Sequence, residues 1–431
     1  MSRGSGAGVR APQAEDWLFR ILHLTIGVVT SAIGVAFQRN RLDSFRIPKQ
    51  ALYEAEAIVC LGLLAILLLW RYREVLEALR PHRLPLAIAG AAVLWTGITS
   101  LTSTNRTLSM PALVWVASCA TVFVATLLAA TRARGLALAW LPLLAAAVNA
   151  VFALLQRAGW FSPTQFEQTT LDRYRISGLI GNPNDLGVYL FLCALPAVAL
   201  LFAWRGRSVP LIALAVLLTA ALLASQTMSA LIAFAIAILV MIVFVTRRVK
   251  LAAIAVGVAL LLVAVIPPLR QRTLTIASQL RQGSISSATS LRVPGYLVAW
   301  ELFVEHPIVG AGPGTYGWWY LPHKIELNKT HAALRETSEN FGEAHNDHLQ
   351  TLAVSGLPAY AIFVAAIIAL GATSFRSTES DTRSRFVRAL ALPFAAGFAV
   401  VTLAQFPLEV ASAASVAIHY AALCCAWTVK R

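Results

Sequence analysis

Val209-Pro-Leu-Ile-Ala-Leu-Ala-Val-Leu-Leu-Thr-Ala-Ala-Leu-Leu-Ala224 contains no charged residue, and Leu251–Pro267 is a second run of the same kind. Neither run has a polar face to offer water, so both suit hydrocarbon on every side. In hydrocarbon each backbone N–H and C=O needs an internal partner, which a helix supplies within one segment. The whole chain follows suit. Of its 431 residues, 58% are hydrophobic and 13% charged, with a mean hydropathy of +0.70. A soluble domain carries about 25% charged residues. The fold class expected is all-α, a polytopic helical membrane protein.

Working outward from these runs gives about twelve transmembrane helices, each near the ~20 residues a bilayer requires. They fall at 18–37, 52–70, 84–101, 111–130, 136–158, 186–204, 209–224, 227–245, 251–267, 348–371, 386–406 and 411–429. With the N-terminus inside, the inside segments hold Arg3, Arg10 and Arg20, then Arg71, Arg73, Arg80 and Arg83, then Arg132 and Arg134. Arg205 and Arg207 follow, then Arg247, Arg248 and Lys250, then Arg376, Arg383 and Arg385, and finally Lys430 and Arg431. Every inside loop is basic, as the positive-inside rule requires. The net charge of +15 therefore orients the chain, and no nucleic-acid partner is expected. The five cysteines all lie in apolar stretches, which suggests no disulfide framework. Met1–Asp16 has no apolar core or cleavage site of its own, so the first apolar run is expected to be a retained span.

The chain divides accordingly into a cytoplasmic tail (1–17), N-terminal transmembrane helices (18–158), a region from 159 to 406, and a last helix with a cytoplasmic end (407–431). Three outside segments are unusual. Gln38–Ala51 places Arg39, Arg41, Arg46 and Lys49 outside, either to bind an anionic ligand or to meet lipid headgroups. Gly159–Asp185 carries Asp172, Arg173, Tyr174 and Arg175. Pro268–Asp347 is one long outside loop, and loops of that length usually carry structure or function of their own. Within it, Leu291–His306 has helical spacing suited to lying along the membrane surface, and Trp318, Trp319 and Tyr320 suit a headgroup-level aromatic belt.

The residues equipped for chemistry stand at the end of that loop, in Glu343-Ala-His-Asn-Asp-His-Leu-Gln350. Asn346 or Asp347 can cap the following helix. Either cap puts His345 near a helix N-terminus, whose partial positive charge keeps the imidazole neutral and usable as a general base. If that turn is already helical, His348 lies near the same face. The plainer reading is a polar pair at the membrane boundary. Arg175 and Arg292 are the outside arginines suited to phosphate, because guanidinium stays charged and offers paired donors; the plainer reading is a headgroup contact. No His/Cys/Glu cluster has metal-ligand spacing, and no phosphate-cradling or nucleophile-elbow motif appears, so neither metal nor cofactor is expected. Asp347 and Asp185 are an acidic pair only if the fold brings them together.

These residues resemble a known family. His345-Asn-Asp-His-Leu-Gln-Thr-Leu-Ala-Val-Ser-Gly-Leu-Pro358 is similar to the HNxxLxxLxxxGLxG signature of the O-antigen ligase and polymerase superfamily. Arg292…Trp300…His306-Pro-Ile-Val-Gly-Ala-Gly-Pro-Gly-Thr-Tyr316 and Gly178-Leu-Ile-Gly-Asn-Pro-Asn-Asp185 resemble two further family segments in the family's order. The resemblance covers roughly residues 140–405. It implies metal-independent transfer of a glycan from undecaprenyl diphosphate to an acceptor hydroxyl, at the periplasmic face of a bacterial inner membrane. His345 would activate the acceptor, Arg175 and Arg292 would hold the diphosphate, and Asn182, Asn184, Asn346 and His348 would support them. The acceptor would be lipid A–core for a ligase or the growing glycan for a polymerase; the single long loop favours a ligase. Membrane lipids surround the protein.

One stretch departs from the pattern. Many members have an arginine where this chain reads Ala224-Ser-Gln-Thr-Met-Ser-Ala230, and Met228 cannot bind phosphate. Arg175, the Gln38–Ala51 loop or a different donor site is then needed. A polysaccharide flippase or other transporter is the competing class. It fits less well because the central spans lack ionisable residues, while Asn149, Gln156 and His419 are the few polar residues deep in others.

Overall fold

The computed structural model describes residues 17–38, 43–132, 136–160, 176–204, 208–330, 340–377 and 381–428, and its regular structure is helical. In chain order the helices are α1 (Trp17–Val35), α2 (Arg46–Leu79), α3 (Arg83–Leu101), α4 (Arg106–Arg132), α5 (Ala137–Arg157), α6 (Pro183–Ala203), α7 (Val209–Ser225) and α8 (Met228–Met241). They continue with α9 (Val249–Val265), α10 (Pro267–Arg281), α11 (Ile285–Ala288), α12 (Val293–Glu305), α13 (Tyr316–Thr330), α14 (Asp347–Arg376), α15 (Thr382–Val401) and α16 (Ala411–Thr428). Burial sorts them. α6 is enclosed along nearly its whole length by α5, α7, α8, α15 and α16. α9 has only Ala252 buried, as expected of a helix surrounded by lipid. Alanine is the commonest residue on the enclosed faces, and its small side chain lets helices approach closely.

Among the described residues, nine helical runs are long and apolar enough to cross a membrane, or up to ten if the bent pair α9 and α10 (91° apart) is one span. The segments expected from the sequence all coincide with helices; the difference lies in how they join. Residues 52–70 and 84–101 belong to one run of helix, Arg46–Leu101, with no loop between α2 and α3. That run turns back near its middle, where Arg71 leaves helical geometry and where Glu74 meets Arg132 at the far end of α4. α7 is shorter, at 17 residues.

Asn149, Gln156 and His419, polar residues within the bundle, each bond backbone groups of a neighbouring segment. Asn149 of α5 donates to the Gly34 carbonyl (2.8 Å) and accepts from Leu179 N–H (2.9 Å). Gln156, two turns on, accepts from the N–H groups of Ser177 (3.0 Å) and Gly178 (2.8 Å). These bonds satisfy the backbone of the buried turn that leads into α6, where an unpaired group costs about 1–3 kcal/mol. Asn182 then caps α6 by accepting from Asn184 N–H (2.8 Å), with Pro183 in the first turn. His419 bonds the Leu138 carbonyl (2.8 Å).

The long segment before α14 folds as α10 to α13, and α12 occupies the stretch where helical spacing was expected. Its small core joins Val298, Leu302, Tyr316, Tyr320 and Phe341 to Ala353 and Val354 of α14. The aromatic trio divides: Trp318 is exposed, whereas Tyr320 is buried in that core and so cannot serve a headgroup belt. α14 is broken at Gly356 (φ 75°, ψ −177°). The break frees three carbonyls. Ala353 accepts from Ala311 N–H (2.9 Å) and Val354 from Gly312 N–H (3.0 Å), while Ser355 accepts from the Trp95 indole (2.9 Å). Leu357 N–H, freed on the other side, donates to the Pro307 carbonyl (2.9 Å). The glycine-rich turn at 310–314 is thus a short backbone splice into a broken helix. A Cβ on Gly310 would overlap the Val354–Ser355 peptide.

Candidate active site

Five segments expected on one side of the membrane do meet at one end of the bundle. Thr104 bonds the Ala311 carbonyl (2.9 Å), Arg46 reaches Asp185 and Glu343, and Asp347 N–H donates to the Thr402 carbonyl (2.9 Å) beside the 403–410 turn. At their centre is His345. It adopts a left-handed backbone conformation (φ 53°), which costs a non-glycine residue about 1–3 kcal/mol and needs support from both sides. Ala344 N–H is held by Gln350 Oε1 (2.7 Å), Asp347 N–H by Thr402, and Gln350 is itself held by Glu409 (3.2 Å). The imidazole stands edge-on between Phe341 (5.1 Å between ring centres) and Phe406 (4.7 Å).

Its Nδ1 is buried with no hydrogen-bond partner, which in a native site calls for an explanation such as catalysis. Burial, then the charges of Arg292 and Arg46, push the His345 pKa down to about 3, so the ring is neutral at pH 7. Asn346, not Asp347, caps α14, accepting from Leu349 N–H (3.1 Å). Asp347 instead accepts from Leu408 N–H (3.4 Å).

His345 lies before the cap, outside the helix, so it and His348 do not share a face. His348 turns to α15, with Nε2 at 3.0 Å from Thr402 Oγ1 and Nδ1 at 3.3 Å from Tyr360 Oη. Arg292, at the start of α12, bonds the Ala404 carbonyl and acts electrostatically on both His345 and Asp185. Asn182 is at the exposed end of α6, with Asn184 partly buried beside it. Arg175 lies outside the described residues. The Ala224–Ala230 turn borders the same site: Thr227 bonds the Pro183 carbonyl (2.8 Å) and Ser229 accepts from Gln405 (2.9 Å). Asp185 is engaged by Arg46, and among the described residues no group of three or more His, Cys, Asp or Glu is arranged to hold a metal ion.

Sequence reasoning did not place Arg46, Phe341 or Phe406 beside His345. For Arg46 there was a signal, the anomalous basic loop, but nothing separated a site residue from a headgroup contact. Phe406 comes from the other side of α15, and no spacing rule reaches that far.

Four helix N-termini, those of α2, α6, α12 and α14, meet here with two guanidinium groups, the carboxylates of Asp185, Glu343 and Glu409, and a neutral imidazole whose Nδ1 has no partner. Partial positive charge at such ends favours anions. The fold and site define a polytopic helical membrane protein with a charged site at one end of its helix bundle. Residues 213–364, from α7 through the break in α14, match the family model described as O-antigen ligase (Wzy_C). That stretch, about a third of the chain, is what is similar to the family, and it contains His345 and Arg292 but not Arg46. No curated protein matches the chain.

Proposed function

We propose that this protein transfers a glycan from undecaprenyl diphosphate to a hydroxyl of lipid A–core, at the periplasmic face of the bacterial inner membrane, with both termini cytoplasmic. The observation that carries the reading is His345, a desolvated neutral imidazole flanked by Arg292 and Arg46 at the end of an O-antigen ligase domain. The acceptor hydroxyl attacks the anomeric carbon of the donor sugar and passes its proton to His345. The bond from that carbon to phosphate breaks, and undecaprenyl diphosphate leaves with the electron pair. Arg292 stabilises the charge that develops on the leaving group, a task metal ions often perform elsewhere.

In the free protein His345 is a weak base, because burial and two cations both oppose its protonation. A bound diphosphate counters the two cations and so moves the imidazole pKa upward, while burial, the larger cause, stays in place. His348 acts as a positioning residue, tying α14 to α15.

The test is transfer by purified protein from undecaprenyl-diphosphate-linked glycan to lipid A–core, with a chelator present. Glycan on lipid A–core supports the reading. Longer lipid-linked glycan with unmodified core would make the protein a polymerase, and no product with intact donor would remove both. Arg292→Lys keeps the charge but loses the planar fork. It is expected to raise the KM for donor about tenfold, and an unchanged KM would exclude Arg292 from donor binding.

A further inference from the structure

Arg46 enters the site from the second helix, outside the matched domain, and its surroundings are those of a ligand-binding guanidinium. Nη1 is 3.0 Å from Glu343 Oε1 and Nη2 is 3.7 Å from Asp185 Oδ2, longer than a hydrogen bond. Its Cζ lies 5.3 Å from the centre of the Phe406 ring, the same ring that packs against His345. Asp43, just before α2, accepts from the N–H groups of Phe45 (3.0 Å) and Arg46 (2.7 Å), which fixes where the side chain begins. The guanidinium is therefore located by the start of α2, by the Phe406 ring and by Glu343, with Asp185 at ion-pair distance.

We propose that Arg46 is a donor-binding residue, and that Glu343 and Asp185 hold its guanidinium in place until phosphate oxygens replace the more exposed carboxylate, Glu343. This rests on the donor reading above. Ionised, Glu343 and Asp185 offset the charges of Arg46 and Arg292, and Glu409 acts electrostatically on both Arg46 and Glu343. Glu343 has 27% of its side chain exposed against 10% for Asp185, and it lies on a loop. Displacing it releases paired donors in the geometry that suits a phosphate group.

A purely structural ion pair makes a different prediction from a ligand-binding arginine. If Arg46 only braces the loop, losing either partner should do equal damage. If it binds the donor, removing Glu343 removes a competitor. The experiment measures binding of glycan-free undecaprenyl diphosphate to the full-length protein in nanodiscs, for wild type, Arg46→Gln, Glu343→Gln and Arg292→Gln. Arg46→Gln is expected to weaken binding roughly 10- to 100-fold, the range for one charge-assisted hydrogen bond. Glu343→Gln is expected to bind as tightly as wild type or more so. Wild-type affinity in Arg46→Gln, or parallel losses in Arg46→Gln and Glu343→Gln, would overturn the assignment. Loss confined to Arg292→Gln would remove Arg46 while leaving the donor reading intact. A wild-type protein that binds no diphosphate would remove both.

Discussion

Replacing His345 with alanine is expected to lower glycan transfer by roughly 10²–10⁴-fold, the usual contribution of a positioned general base. The loss should appear in kcat, with the KM for donor little changed, because Arg292 and the helix N-termini remain. Protein level and membrane insertion should stay near wild type. The ring packs between Phe341 and Phe406, but its left-handed backbone is held by Gln350 and Thr402 through neighbouring peptides, which the substitution leaves in place. With a pKa pushed down to about 3 by burial and two cations, the free enzyme's imidazole stays neutral through mild acid. The kcat/KM profile should therefore show no acid limb from His345 between about pH 5 and pH 8. Retained transfer in His345→Ala would take this residue out of the mechanism.

The second large effect is structural. Gly356→Ala puts a Cβ at φ 75° and ψ −177°, where only glycine is comfortable, and drives it into the Ile308 carbonyl. The splice has no slack, since Ala311, Gly312 and Leu357 each already use a backbone bond across it. A cost of about 3 kcal/mol or more is expected, from strain and weakened bonds together. Thermal unfolding of detergent-solubilised protein should show the midpoint falling, with transfer activity falling alongside. Gly257→Ala is the control. Gly257 sits in α9, with open space where its Cβ would go, and alanine suits a helix interior better than glycine. An unchanged midpoint for Gly356→Ala would mean that α14 is not held by the splice.

Much of the fold was legible because membrane insertion writes itself along the chain, as runs free of charge and loops rich in arginine. The segments sorted to one side by their basic residues meet at one end of the bundle. His345 was legible too, as a histidine at the junction of a long loop and an apolar run. The break in α14 was not. Its glycine sits inside a hydrophobic pattern that reads as one continuous helix over 348–371, and only the Ala311 and Gly312 N–H groups reveal the interruption. Phe341 and Phe406 were hidden for a related reason: their role lies in closing over His345 from segments far apart in sequence. Arg46 fell between, since its charge was conspicuous and its destination was not. The tie between His348 and α15 depends on helix rotation, which spacing fixes only once the cap is known to be Asn346. Arg175 remains an expectation of the sequence.

The splice between residues 307–312 and 353–357 also limits how this chain can be recombined. A hybrid that takes the long loop from one relative and α14 from another would bring together two edges shaped in different backgrounds. Two carbonyls and one N–H of α14 pair with the loop across that seam, and a buried group left unpaired costs about 1–3 kcal/mol. For purposes of inheritance and of engineering, loop and helix are one cassette. A graft intended to change acceptor choice should cut before α12 and after Pro358, carrying the histidine and its seam together.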